Sequence, residues 1–452
     1  MRTRIVVAMF LAATAGFGAE AFRQTAAGVT SEAADLTLWW KQFRDPELDL
    51  LVDRAIRNNI ELRIAASRVV EARAMERAQR SSLFPSLGLA GAFNHIRGVD
   101  TSGRPFLANG EINTVQMGLD ASWEADLFGA NRKAVSAAAA DARSAEEARR
   151  DVLVTVTGEV ARAYAELRGL DRRITINQDT IRTQAETLRL TKVRSEAGLA
   201  TELDVARQSA LLSTTEAVEP ALRATRVATV NRLAVLLGLQ PSALAGELEQ
   251  PGELPAPPAV VAAGLPSDLL ARRPDIRRAQ ADVVAASARL GAARSELFPK
   301  FTITGLTGRQ ATGFGGLTLG AGNFFAVGPA IQLPVFTGGR IRANIAANDA
   351  RVQEARGRYE STMLRAVEEV ENALSAYGRE QERRDKLVAA ADASRTAVEL
   401  ARELYSRGLA DFLSVLDAQR AQYADEDALA QSQTAIVTGV VTLYKSLGGG
   451  WQ

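Results

Sequence analysis

A near-repeat is the strongest constraint on what this chain can fold into. Arg80-Ser81-Ser82-Leu83-Phe84-Pro85 returns as Arg294-Ser295-Glu296-Leu297-Phe298-Pro299. Leu127-Phe128 returns as Val335-Phe336, and Gly198-Leu199-Ala200 as Gly408-Leu409-Ala410, so the offsets are 214, 208 and 210. Order and spacing survive with small insertions. Two copies of about 200 residues therefore imply one architectural unit used twice. In each copy a strand pair is expected between very long helices.

Composition narrows the class. With 47% hydrophobic and 24% charged residues the chain is a folded protein. Aromatic residues make up only 6% of it, which favours closely approaching helices over a thick core. A formal net charge of +1 gives no reason to expect a nucleic-acid partner. Residues 1–21 read as a secretory signal peptide: Arg2 and Arg4, an apolar run from Ile5 to Phe17, then Ala19-Glu20-Ala21. That run is too short to span a bilayer, and no later run of 18 apolar residues exists. There is no cysteine, so packing alone must hold an exported chain together.

Local pattern places the elements. Asp45 is suited to cap a helix that Pro46 begins and that runs to about Ser82, with Pro85 stopping it. Val115, Met117, Leu119, Ala121 and Trp123 then alternate with Gln116, Gly118, Asp120 and Ser122. This period of two predicts strands at about 86–97 and 112–124, with an apolar and a polar face. In copy two, Phe325, Val327, Pro329, Ile331 and Leu333 alternate with smaller or polar residues, predicting strands at about 300–309 and 322–335. The loops fall at about 98–111 and 309–321. From Ala130 to Arg194 there is no proline, and apolar residues recur at heptad-like spacings. Such a helix would reach roughly 100 Å. Its counterpart runs from about Arg340 to Arg407, and each ends at a Gly-Leu turn from which a shorter helix returns. The expected divisions are 22–60, 61–237 with a helical hairpin at 128–237, a Pro-rich linker at 238–267, and 268–447 with a hairpin at 338–447.

Four strands cannot close a barrel, and an open edge cannot face lipid because each unpaired backbone group costs several kcal/mol. Strands in a membrane must then be pooled between chains. Two chains would give eight strands and a filled interior; three would give twelve and a lumen. At the second tip, Leu413, Asp417 and Arg420 share one helix face, where an ordinary solvated ion pair is the simplest reading. Gly198-Leu199 and Gly408-Leu409 read as helix caps. The Gly-rich run from Gly313 to Gly322 lacks the lysine and helix of a phosphate loop. His95 is the only histidine and there is no cysteine, so a transition-metal site is not expected, and a Ser–His–acid arrangement could be assembled only around His95, in a strand. No enzyme activity and no cofactor are expected.

The residues Trp39-Trp40, Phe43, Asp45-Pro46-Glu47-Leu48, both Leu-Phe-Pro strand starts, Asp126-Leu127-Phe128-Gly129, Arg272-Arg273-Pro274-Asp275-Ile276, Pro334-Val335-Phe336, Gly338-Gly339-Arg340 and Leu416-Asp417-Ala418-Gln419-Arg420 cover almost the whole mature chain. In this order they resemble the TolC-like outer-membrane factors of tripartite efflux pumps, in the NodT-type branch serving resistance-nodulation-division (RND) transporters. The resemblance implies a mainly α fold with a β-barrel portion: two tandem repeats of coiled-coil helices and a strand pair, trimerised into an α/β-barrel duct. It implies a homotrimer in outer-membrane lipid that extends into the periplasm, with residues 22–60 and the linker at its equator. A periplasmic adaptor would dock at Gly198, Leu199, Gly408 and Leu409, and an inner-membrane RND transporter would supply the cargo. Leu413, Asp417 and Arg420 would close the periplasmic aperture, while Val115, Met117, Leu119, Trp123, Val327 and Ile331 would face lipid. The branch's lipid-modified N-terminal cysteine has no counterpart here. Two other readings stay open: the duct of a type I protein-secretion system, and a coiled-coil envelope spacer.

Overall fold

The computed structural model describes residues 26, 28–30, 36–97, 111–262, 264, 266–314, 317 and 322–451. The expected signal peptide and most of both inter-strand loops lie outside these residues. In chain order the elements are β1 (Val29–Thr30), a 3-10 turn (Trp39–Phe43), α1 (Pro46–Asn58), α2 (Ile60–Ser81), β2 (Ser86–Arg97) and β3 (Glu111–Ala125). Then come α3 (Ala130–Glu196), α4 (Glu202–Glu216), α5 (Val218–Leu236), β4 (Val261–Ala262), α6 (Pro266–Arg272) and α7 (Pro274–Ser295). Copy two closes with β5 (Lys300–Ala311), β6 (Gly322–Gln332), α8 (Arg340–Ser406) and α9 (Phe412–Ser446). The helices α3 and α8 are each 67 residues long. Two compact units result, one of residues 1–66, 147–277 and 361–452, the other of residues 67–146 and 278–360.

The first unit carries the aromatic core. Trp39, Trp40 and Phe43 are buried in the 3-10 turn, and Trp39 stacks on Tyr444 at 5.2 Å. The Tyr444 hydroxyl donates to Gln42 Oε1 at 2.6 Å. Asp45 caps α1, accepting from the Glu47 and Leu48 amides at 2.9 and 3.1 Å. Beside this core lies a charged network. Arg168, almost wholly buried, donates to Glu47 and, at 2.8 Å, to Asp171. Arg226 reaches the other Asp171 oxygen at 2.7 Å. Arg168 and Arg226 also bond the linker carbonyls of Gln250 and Leu248. Each charge thus has a partner, the condition under which burial is tolerable. β1 pairs in parallel with β4, so the N-terminal segment and the linker meet here.

Two helices expected to be continuous are interrupted. The helix predicted from Pro46 to about Ser82 breaks at Asn59, whose ψ of 131° is extended. Its side chain accepts from the Leu62 amide at 3.0 Å and donates to the Leu236 carbonyl at 2.7 Å. Asn59 therefore starts α2 as its own N-cap while tying it to the end of α5. The return helix of copy one divides at Ala217, because Pro220 has no N–H for Glu216 and its ring crowds that carbonyl.

The second unit holds an antiparallel sheet in the order β2-β3-β5-β6. β6 ends at Gln332, short of the predicted 335, where Pro334 cannot donate to a ladder. The repeated motifs meet below the sheet. Phe128 stacks on Phe298 at 4.8 Å, and Ser295 Oγ donates to the Phe128 carbonyl at 3.2 Å while accepting from Lys133 Nζ at 2.8 Å.

Candidate functional site: a two-faced sheet and two helical tips

Register decides what each sheet face presents, since directly paired residues share a face and alternate residues return to it. Leu119 pairs with Leu89 and Thr307, and Thr307 with Phe325. Following the ladder by twos puts Val115, Met117, Leu119, Trp123, Val327 and Ile331 on one face, together with Leu87, Phe93, Phe301 and Ile303. All six sequence-nominated residues are on that face. Five of them are exposed, but Val115 is buried at 3%, flanked across the ladder by Phe93 and Ala311. Phe93 in turn stacks on Phe314 at 6.0 Å. Trp123 donates its indole N–H to the Leu83 carbonyl at 3.1 Å, anchoring the far end of the face. At the loop-bearing end the face turns polar, with His95 bonded to Asn113 at 2.8 Å.

The opposite face is mostly small and polar, with Leu306 and Phe324 as its large apolar members. Gln116 donates to Gln310 Oε1 at 2.9 Å, and Asp120 lies over Gly88, where an added Cβ would come within 2.7 Å of its Oδ1. Gly118 and Gly308 are partners, and a Cβ on either would meet backbone atoms at 2.4 Å. Only glycine permits β3 and β5 to approach so closely. Among the described residues β2 and β6 each have one paired side only.

In the first unit, the two tips turn on glycines in the left-handed region, Gly198 at φ 72° and Gly408 at φ 74°. The following amide closes each helix end, Leu199 to Arg194 O at 2.8 Å and Leu409 to Leu404 O at 2.9 Å, the bond of a Schellman cap. Leu199 and Leu409 are left exposed beside open space. The next helix of each tip is capped by a mirrored pair. Thr201 and Asp204 form a reciprocal capping box. Asp411 caps α9, accepting from the Ser414 amide at 3.1 Å and its hydroxyl at 2.7 Å. Acid and hydroxyl have exchanged places.

Two turns further, Arg420 Nη1 lies 3.9 Å from Asp417 Oδ1, with both side chains more than half exposed. Such a pair contributes under about 1 kcal/mol. Leu413 is exposed on the same helix, while its neighbours Val415 and Leu416 are buried with Phe412 and Leu211. The structure thus brings Asp417 and Arg420 together within one helix and leaves them, with Leu413, free of the core. Arg207, in the matching place of copy one, is also exposed.

A cavity of about 760 Å³ lined by α3, α8 and the start of α9 was not foreseen; Leu190, Arg194, Arg402, Tyr405 and Val415 are among its lining residues. Among the described residues Arg402 donates to the Thr187 hydroxyl, at 3.4 Å, and to no carboxylate, and burial draws its guanidinium below the ordinary arginine value. Arg194 lies over the Tyr405 ring at 4.7 Å. Nothing in the local sequence distinguishes Arg402 from the solvated arginines around it. The Arg168–Asp171 network did leave a signal, as charges inserted between Leu167, Leu170 and Ile174 of the α3 seam. No group of three or more metal-ligating side chains occurs among the described residues.

Comparison with known proteins follows this geometry. The outer membrane efflux protein family matches residues 51–239 and 265–449. The solvent efflux pump outer membrane protein SrpC of Pseudomonas putida is 34% identical over 415 residues, 90% of this chain and 86% of the relative. Outer membrane protein OprJ of Pseudomonas aeruginosa is 34% identical over 431 residues, 94% of this chain and 89% of the relative. Among solved structures, the outer-membrane channel OprN superposes with a TM-score of 0.87 at 35% identity, covering 96% of this chain and 98% of that one. VceC of Vibrio cholerae gives 0.84 at 27% identity, covering 93% and 100%.

Proposed function

The chain belongs to the outer membrane efflux protein family, and from that premise we propose that three copies pool their strands into a twelve-stranded barrel. The protein is an outer-membrane efflux channel and not an enzyme. The observation that carries the trimer is the sheet itself, with an apolar face, a polar face and two edges left for another chain. In lipid those edges must be paired, and twelve strands leave a lumen that eight would fill. The apolar face meets lipid and the Gln116–Asp120 face lines the lumen.

The partners follow the same logic. Leu199 and Leu409, held out by their glycine turns, are the docking points for a periplasmic adaptor, with Gly198 and Gly408 setting the turns. Leu413, Asp417 and Arg420 form the aperture, repeated three times around the axis. An inner-membrane RND-type transporter supplies the energy, and the duct is passive. Residues 22–60 and 238–267 form the equatorial segment, a role supported by the pairing of β1 with β4. Relatives named for solvent and toluene efflux favour small organic cargo over secreted protein. Native mass spectrometry of the detergent-solubilised protein tests the assembly. A trimer is expected; a stable monomer with its strands folded would refute the barrel.

A further inference from the structure

The internal repeat carries one more consequence, concerning which residues hold neighbouring copies together. Within one chain, the second strand of copy one (β3) pairs with the first strand of copy two (β5). Below that seam Phe128 of copy one stacks on Phe298 of copy two. Both lie three residues beyond the last ladder pair, Ala125–Phe301, so the stack continues the strand register. The repeat partners of these two phenylalanines are Phe336 and Phe84. In the single chain neither is covered: Phe336 is 90% exposed and Phe84 66%. The strands above them, β6 and β2, are the two open edges of the sheet.

We infer that Phe336 of one copy stacks on Phe84 of the next, forming the inter-chain counterpart of the Phe128–Phe298 stack and setting the register of β6 against the neighbour's β2. This deepens the trimeric reading and rests on it. The occupant is a second copy because the repeat already contains both halves of the contact, one made internally and one left open. Carrying the register up from the aromatic pair places Ile331 opposite Leu89, Val327 opposite Phe93, and Phe325 opposite His95 of the neighbour. Every one of these belongs to the apolar face of the sheet, so the seam would keep that face continuous around the barrel. An odd shift would turn one edge's apolar residues into the lumen. Burying two largely exposed phenyl rings also removes apolar surface that water would otherwise cover.

The absence of cysteine makes the test clean, since an introduced pair supplies the only thiols. Phe84→Cys/Phe336→Cys, bridged in the assembled protein by addition of both thiols to a short bis-maleimide, should give covalent dimers and trimers on a denaturing gel. Phe128→Cys/Phe298→Cys should be bridged within the monomer, proving that the reagent spans such a pair. Phe93→Cys/Val327→Cys should cross-link between chains several-fold more than Phe93→Cys/Pro329→Cys, which reports a two-residue slip. If the 84/336 variant is trimeric by native mass and stays monomeric on the gel while 128/298 is bridged, the inference fails and the trimer stands. If wild type itself is not trimeric, the assembly reading fails first. Loss of trimer only in the double variant would support the contact; Phe84→Leu/Phe336→Leu should then restore assembly, and failure to do so would count against a simple apolar stack.

Discussion

Replacing Gly308 by alanine should weaken the sheet at its middle. The new Cβ would stand 2.4 Å from Met117 O and 2.6 Å from Gly118 Cα. Both are backbone atoms of the adjacent strand and cannot rotate away. Reaching ordinary contact requires β5 to retreat from β3 by about 1 Å, stretching the nearest ladder hydrogen bonds well past their usual ~2.9 Å. Two such bonds at about 1 kcal/mol each, plus displacement of the Phe324 ring, give about 2–3 kcal/mol per chain, at the upper end for overpacking. Gly328 on the same face is the control, because a Cβ there has no heavy atom within 4 Å. The assay is the temperature at which assembled protein dissociates to monomer on a semi-native gel. Gly308→Ala should dissociate several degrees lower than wild type, and Gly328→Ala should match it. Equal dissociation temperatures for all three would refute the close-approach reasoning.

The other predictions follow from the same geometry. Met117→Arg or Leu119→Arg should cost roughly 2–4 kcal/mol near mid-membrane, read as lost insertion, while Gln116→Arg on the opposite face should assemble and change conductance; equal loss from both would overturn the assigned faces. Arg168→Met should destabilise the first unit by about 3 kcal/mol, since Glu47 and Asp171 lose a buried partner; an unchanged melting curve would exclude the network as a structural element. Glu159 is raised by burial but brought below its ordinary 4.5 by Arg162 and Arg232. Its contribution is therefore present above about pH 4.5 and lost as pH falls through the lower folded value, so Glu159→Gln should narrow the difference in melting temperature between pH 6 and pH 3, and an identical pH profile would contradict this.

Much of this was legible in the sequence because repetition and alternation are physical signals. The period of two assigned the sheet faces before any register was known, and the Leu-Phe and Leu-Phe-Pro repeats contain Phe128 and Phe298, which stack on each other. The misses have local causes. The break at Asn59 carries no proline or glycine, only an asparagine whose side chain happens to reach Leu236. Pro220 was visible, but its effect depends on its standing three residues into the new helix. Asp204 and Ser414 stand at matching positions of the two tips, and although one is charged and the other not, both serve caps in which acid and hydroxyl are exchanged. Val115 alternates correctly and is still covered, because covering depends on neighbours rather than on period. Arg402 could not be found at all, since its lack of a carboxylate among the described residues is a fact of packing.

Single-channel recording in planar bilayers tests the central claim, a trimeric duct closed at its periplasmic end, most directly. The wild-type trimer should insert and conduct weakly. Asp417→Ala combined with Arg420→Ala removes a pair worth under about 1 kcal/mol per chain, but three copies act on one closed state, so a few kcal/mol can shift the population toward open. Conductance should rise several-fold with assembly unchanged, and Arg207→Ala should have a smaller effect. Inserted trimers of wild type and double variant that both fail to conduct would contradict the duct.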